Sequence, residues 1–230
     1  MKVVVTGATG FIGRRLVRRL LAEGHAVVAW SRDPKRAAEQ LPARCLVTRG
    51  GDSERCDPGE LRGVDAAVNL AGESVAGGRW SEARKRAIRA SRVDGTRSIV
   101  AAIAGLAPEE RPKVLVSASA IGLYGDRGDE ILDEGSAPGE GFLAEVCRAW
   151  EDAATAAERL GVRVVLPRIG VGLGPDGGAL ADHAMIAGQK RAVDELGPRR
   201  RRGRPAGLRS ETGRRTRCDE RGRSGGGAKP

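Results

Sequence analysis

A doubly wound α/β fold with a parallel sheet ordered 3-2-1-4-5-6 is the architecture this sequence predicts, on two observations. Short β-branched runs alternate with longer helical patterns over roughly the first 166 residues, the order expected of a parallel sheet covered on both faces. Glycines 7, 10 and 13 then mark the first strand-to-helix junction, and right-handed crossovers from such a start favour that strand order.

Each element follows from local pattern. Val3–Val5 is a β-branched run and reads as a buried strand. Phe11 to Glu23 has the spacing of an amphipathic helix, ended by Gly24 just past the C-cap. His25–Trp30 is the second strand, Pro34–Gln40 a short helix, Cys45–Thr48 the third strand and Ala66–Leu70 the fourth. Ser81–Ala104 is a long helix with Ser81 as N-cap. Gly95 inside it is a local cost that close packing would explain. Val114–Ser117 is strand five, Phe142–Leu160 a second long helix, and Val162–Leu166 strand six, stopped by Pro167.

At 230 residues the chain can hold one sizeable α/β domain. We expect that domain at residues 1–180 and a basic tail at 181–230. The net charge of +10 is unevenly placed: residues 181–230 hold 14 Lys/Arg against 6 Asp/Glu, leaving the first 180 nearly neutral. All six aromatic residues lie at or before Trp150, and beyond Leu196 the chain is mostly Arg, Gly, Pro, Ser and Thr. Such text buries too little apolar area to offset backbone ordering, so the tail is expected to be disordered. Arginine runs attract phosphate without specificity. With no aromatic residue to stack a base, no specific nucleic-acid partner is expected. No apolar stretch approaches the roughly 18 residues of a membrane span, and no secretory signal is visible. Cys45, Cys56, Cys147 and Cys218 show no C-x-x-C spacing, which argues against a metal site and for a reduced, cytoplasmic setting. The oligomeric state is not legible.

The chemistry starts at the first turn. A helix N-terminus offers unpaired N–H groups and partial positive charge, so a dinucleotide pyrophosphate docks there. Gly7 permits the tight turn, Gly10 lets the backbone approach phosphate, and Gly13 lets the helix pack close to the strand. Gly7, Thr9, Gly10, Phe11, Ile12 and Gly13 are the candidate binding residues. An ordinary βα turn is the alternative. Strand two ends in Ser31-Arg32, with Ser31 where NAD enzymes place a carboxylate. Arg32 is suited to a 2′-phosphate, which favours NADP, with NAD possible; a solvated surface charge is the alternative for Arg32. Asp33 competes for the ribose but precedes Pro34, and so suits the cap of the short helix.

Strand four runs into Asn69-Leu-Ala-Gly-Glu73, where Leu70, Ala71 and Gly72 are candidate cofactor contacts. Glu73 is either an acid–base group in the reaction pocket or the cap of a local turn. Ser117 is a further candidate cofactor contact; Ser119 and Tyr124, the only tyrosine, are candidate catalytic groups beside the nicotinamide. Ordinary turn chemistry is the alternative for all three. Arg168 would hold an anionic substrate group or make a structural ion pair.

These segments together resemble the extended short-chain dehydrogenase/reductases, in particular the atypical NAD-dependent epimerase/dehydratase-like branch of "epimerase family" proteins. The resemblance is carried by Thr6-Gly-Ala-Thr-Gly-Phe-Ile-Gly13, Asn69-Leu-Ala-Gly-Glu73, Trp80, Lys85-Arg86, Ser91-Arg92 and Gly95-Thr96. It continues through Ser117 to Gly125, Gly141-Phe-Leu-Ala-Glu-Val-Cys147, Trp150-Glu151, Arg168-Ile-Gly170 and Gly177-Gly-Ala-Leu180, covering about residues 1–180. It implies a Rossmann-type domain and a nicotinamide cofactor. Two departures stand out. The superfamily pairs a catalytic Tyr with a Lys four residues later, but Tyr124 is followed by Gly128, and the later family position holds Leu143 and Cys147. The family's C-terminal substrate lobe is replaced from about Ala181 by arginine-rich text, as if the reading frame were lost within residues 181–197 or the gene were a degenerate fragment.

The resemblance implies an NADP(H)-dependent epimerase or oxidoreductase acting on a small sugar-nucleotide or related carbonyl/alcohol substrate. The missing Tyr–Lys pair keeps a non-catalytic dinucleotide-binding module open, and the altered C-terminus an inactive truncated family member.

Overall fold

In the computed structural model of the chain, residues 1–50, 56–75, 80–174 and 177–178 are described. The expected tail at 181–230 lies outside the described residues.

Six parallel strands form the main sheet. In chain order they are β1 (Lys2–Thr6), β2 (Ala26–Ser31), β3 (Leu46–Arg49), β4 (Ala66–Asn69), β5 (Val114–Ser117) and β7 (Arg163–Val165). Their spatial order is β3-β2-β1-β4-β5-β7. This is the expected 3-2-1-4-5-6 arrangement, because β7 is the sixth strand of the sheet. The two-residue β6 (Ser119–Ala120) leaves the sheet and pairs in parallel with β8 (Arg168–Ile169). A small antiparallel pair, β9 (Leu173–Gly174) and β10 (Gly177–Gly178), follows.

Alternation along β1 sends its side chains to two cores. Val3 and Val5 pack with Val17 and Leu21 of α1 (Phe11–Ala22) and with Leu41, beyond α2 (Pro34–Gln40). Val4 faces the opposite layer, with Leu115 of β5 and Ile99 and Ile103 of α3 (Glu82–Ala104). Burying a side chain such as Ile103 contributes about 2–3 kcal/mol. α4 (Phe142–Thr155) completes that layer through Ala154 and, by Trp150, packs against Val93 of α3.

Helix ends obey the local chemistry. Ser81 caps α3 by accepting from the Arg84 N–H, and Asp33 caps α2 by accepting from the Arg36 N–H at 3.1 Å. Two expectations are corrected. The last long helix is not continuous to Leu160: it tightens to a 3-10 turn over Ala156–Leu160 and stops at the left-handed Gly161, φ +78°. Gly95 is not a close-packing site, since a Cβ there would meet nothing within 4 Å.

Candidate functional site

The strand register brings Thr6, Asn69 and Ser117 to one level at the carboxyl ends of β1, β4 and β5. All three are buried, and so are Thr96 and Trp150. Thr6 Oγ1 donates to Asn69 Oδ1 at 2.7 Å, and Asn69 Nδ2 donates to Thr96 Oγ1 at 2.8 Å and toward Ser117 Oγ at 3.4 Å. Trp150 Nε1 donates to Thr96 Oγ1 at 2.9 Å, and the Ala71 N–H to Thr6 Oγ1 at 3.3 Å. A buried polar group left unpaired costs about 1–3 kcal/mol, so this chain of bonds fixes the floor of the site. Ser117, expected as a cofactor contact, is fully buried in that floor and accepts from Asn69.

Above the floor runs the glycine turn. Gly7 has φ +65°, and a Cβ there would lie 2.6 Å from the Leu70 carbonyl and 2.8 Å from the Ala71 nitrogen. A Cβ at Gly13 would drive into the Gly7 carbonyl oxygen and lie 2.8 Å from Ala8 Cα. Both positions therefore exclude side chains. The first helical bond of α1 runs from Arg14 N–H to Gly10 O at 3.0 Å. This leaves the amides of Phe11, Ile12 and Gly13 without a helical acceptor. The first turn contains no carboxylate to compete for them. The side chains of Phe11 and Ile12 do not line the cavity described below. The Phe11 ring fills the space where side chains would stand on Gly172, Gly174 and Gly177, while Ile12 is 39% exposed.

A cavity of about 460 Å³ opens between this turn and the ends of β2 and β4. Of the expected cofactor residues, Gly7, Thr9, Gly10, Ser31, Arg32, Leu70, Ala71 and Gly72 line it, and so does Glu73. Gly13 and Ser117 lie beneath. Asp33, Arg36 and Gln40 complete the outer end. Arg32 and Arg36 are exposed there, and neither guanidinium has an ion pair among the described residues.

The other expected residues gather elsewhere. Ser119 and Tyr124 are buried and do not line the cavity. Ser119 Oγ donates to Glu151 Oε1 at 2.5 Å. Arg168 grips the same carboxylate with two bonds of 3.0 Å, and its Nη1 donates to Tyr124 Oη at 2.8 Å and to the Glu134 carbonyl at 2.9 Å. Every nitrogen of the Arg168 guanidinium donates within the protein, and the ion pair that the sequence left open is present, with Glu151. Burial alone would push the Glu151 carboxyl up, but the bonds from Arg168 and Ser119 outweigh it and hold it below its ordinary range. The bond to Glu151 raises the Arg168 pKa further. Glu73 faces the cavity with its Oε1 3.4 Å from Arg84 Nη1.

A second, more open cleft of about 510 Å³ is bordered by Trp80, Gly122, Glu140, Phe142 and Leu143. The Trp80 and Phe142 rings meet edge to face at 5.6 Å. Cys147 lies buried behind Gly122, and that burial pushes its thiol pKa up.

The sequence profile of the NAD dependent epimerase/dehydratase family matches residues 3–200. The chain belongs to that family. It is 45% identical over 185 residues to the chloroplastic SDR39U1 homolog of Arabidopsis thaliana, an epimerase family protein, covering 79% of this chain and 52% of that one. The fold is similar to a crystal structure of human epimerase family protein SDR39U1 (isoform 2) with NADPH. The TM-score is 0.64 at 32% identity, covering 81% of this chain and 59% of that chain. It is likewise similar to a nucleoside-diphosphate sugar epimerase from Corynebacterium glutamicum, with TM-score 0.65 and 36% identity over 81% of this chain and 37% of that chain. The chain thus spans 52–57% of the length of its first five curated relatives.

Within this family framework, sequence reasoning assigned no role to Glu151 or Arg36. Arg36 carried a readable signal, since it lies one helical turn past the capping Asp33 and so projects from the same end as Arg32. Glu151 carried only its place beside Trp150 in the family resemblance, and its role was not readable, because its partners lie 32 residues before and 17 after it.

Proposed function

We propose that the chain binds NADP(H) in the 460 Å³ cavity and that it acts as an epimerase or oxidoreductase on a sugar-nucleotide or related carbonyl/alcohol substrate. The observation that carries this reading is the cradle itself: a turn where a Cβ on Gly7 or Gly13 would collide with backbone, beside amides with no helical acceptor. A diphosphate fits such a cradle, because backbone N–H groups can approach it with no side chain between. The unpaired Arg32 and Arg36 at the outer end suit a 2′-phosphate, and the NADPH held by the human relative agrees with that choice.

When bound, the dinucleotide would supply or accept hydride at its nicotinamide. The chain's own share is positioning. The Asn69 network fixes the cavity floor, Leu70–Gly72 border the cofactor's path, and Glu73 offers a carboxylate at the inner end. Arg168 directs its Nη1 hydrogen at Tyr124 Oη, so the phenol's own proton is left for another acceptor. Cys45, Cys56 and Cys147 are buried and form no disulfide among the described residues, in keeping with a reduced, cytoplasmic setting.

Titration with NADPH and NADH tests the reading. Wild type is expected to prefer NADPH, and Arg32→Ala to lose about tenfold for NADPH and little for NADH. Absence of binding to either coenzyme overturns the proposal, and an NADPH preference that survives the substitution overturns the role of Arg32. A specific observation favours a second reading, a non-catalytic dinucleotide-binding module: Ser119 and Tyr124 are engaged with Glu151 and Arg168 and stand off the cavity. A folded protein that binds NADPH yet turns over nothing in a carbonyl panel would favour that module.

A further inference from the structure

Two helix starts meet at the open cleft. Trp80 lies two residues before α3, and Phe142 is the first residue of α4. Their rings stand 5.6 Å apart, inclined at 72°, and both line the cleft. Trp80 is 40% exposed and Phe142 half-buried. The Trp80 Nε1 hydrogen is given to the Val75 carbonyl at 3.0 Å, which fixes the indole and satisfies its one polar group. What the pair offers a ligand is therefore apolar π surface.

Charge at the cleft is one-sided. Asp126 and Glu140 line it, and neither carboxylate has an ion pair among the described residues. The other described lining residues are Leu143, Ala144 and glycines, so none is basic. Residues 126–140 hold six carboxylates against the single Arg127, and Arg127 is itself paired with Glu130 through bonds of 2.8 and 2.7 Å. Cations nearby are engaged as well. Lys85, 5.8 Å from the Phe142 ring centroid, pairs with Glu82 at 2.9 Å, and Arg148 donates to the Gly139 carbonyl at 3.2 Å. Behind Gly122, burial pushes the Cys147 thiol up, so it stays neutral. Aromatic surface beside unpaired carboxylates attracts a cation and repels an anion.

We propose that the open cleft receives a substrate with an apolar body and a protonated amine, and that it rejects the diphosphate of a sugar nucleotide. The proposal rests on the reading of the chain as an NADP(H)-dependent enzyme, and it narrows the substrate to a cationic carbonyl or alcohol. Trp80 and Phe142 take the apolar body and the carbon shell of the ammonium group, while Asp126 and Glu140 supply the counter-charge. An anionic substrate would need a lysine or arginine in the wall to hold its phosphates, and the described wall has none.

Three probes that share one aromatic ring and differ in charge test this: benzyltrimethylammonium, benzyl alcohol and phenyl phosphate, with UDP-glucose as the sugar-nucleotide control. Calorimetric titration of the full chain is run without coenzyme and again with NADPH. Benzyltrimethylammonium is expected to bind about tenfold tighter than phenyl phosphate at low salt, with the gap closing at high salt. Trp80→Ala should weaken the cation severalfold. Glu140→Gln and Asp126→Asn should weaken the cation and leave benzyl alcohol unchanged. Thermal unfolding is the fold control, and because Trp80, Asp126 and Glu140 are all exposed, either carboxylate variant carries the test if Trp80→Ala does not fold. Phenyl phosphate or UDP-glucose bound as tightly as the cation overturns the proposal, and so does a cation affinity that none of the three substitutions lowers. Absence of NADPH binding instead defeats the cofactor reading, with the preference of the cleft still read from the coenzyme-free titrations.

Discussion

The two ends of the site are built by different means. At the nucleotide end, from β1 through α1 to β2, backbone does the work: a turn with φ +65° at Gly7, a helix start with amides free of helical acceptors, and positions where no side chain fits. At the other end, side chains from β6, α4 and β8 converge, with Glu151 joining Ser119 to Arg168 and Arg168 reaching Tyr124. The first end tolerates almost no change at its glycines but asks little of its neighbours. The second depends on three segments arriving together, and its charges are matched to one another before any ligand enters. The lesson is that a site can be rigid through excluded volume in one half and through mutual electrostatic satisfaction in the other.

The largest expected effect breaks the first kind of rigidity. Gly13→Ala places a methyl into the Gly7 carbonyl oxygen and 2.8 Å from Ala8 Cα, all backbone atoms of a turn that has no alternative course. Overpacking of that kind is expected to cost about 3 kcal/mol, read by urea unfolding, and to abolish NADPH binding. A cost under about 1 kcal/mol would show that the turn yields, and the contrast between the two ends would lose its basis.

That contrast also sets how much was legible in the sequence. The turn residues Gly7, Gly10 and Gly13 lie within seven positions of one another between a strand and a helix, so local pattern was enough to place them. The strand order followed for the same reason, since each crossover is a local hand rule applied repeatedly. Arg168 was readable only as a choice between an anion-binding group and an ion pair, because its partner Glu151 sits 17 residues away on a helix whose buried face reads as ordinary core. The burial of Ser117 was not legible for a related reason. A hydroxyl at a strand end looks available until the register sets it opposite Asn69. Gly95 was the reverse case, a glycine that suggested a close contact where open space lies.

A smaller effect sharpens the second half of the comparison. Glu151→Gln leaves Arg168 without its carboxylate in a setting where the two side chains are 13% and 24% exposed, and is expected to cost about 2–3 kcal/mol at neutral pH. The pH dependence follows from the sign of the shift. The folded carboxyl titrates below its ordinary value, so its stabilisation is fully present above the unfolded pKa of about 4.3 and is lost as pH falls through the folded value. Arg168 is shifted upward and stays charged throughout. The stability gap between wild type and Glu151→Gln should therefore hold from neutral pH to about pH 5 and narrow below about pH 4, measured by chemical unfolding across that range. A gap independent of pH would mean that Glu151 acts by shape and not by charge.

The smallest effect concerns Asp33, where the two ways of building a site meet in one side chain. Its Oδ1 accepts from the Arg36 N–H at 3.1 Å and caps α2, yet the residue also lines the cavity, where a carboxylate is the usual reader of an unphosphorylated ribose. If capping is its work, Asp33→Ala should lower stability by about 1 kcal/mol, and Asp33→Asn, which keeps an accepting oxygen, should be nearly neutral. Asp33→Asn should leave NADH affinity unchanged, because Arg36 would keep its place with the cap intact. A ribose-reading carboxylate differs in its effect on the coenzyme: Asp33→Asn would weaken NADH. Charge adds a further sign to check, since removing a carboxylate beside Arg32 and Arg36 favours an incoming 2′-phosphate. A modest gain for NADPH in Asp33→Asn, with NADH unchanged, would therefore place Asp33 with the capping chemistry of α2 and leave the choice of coenzyme to the two arginines.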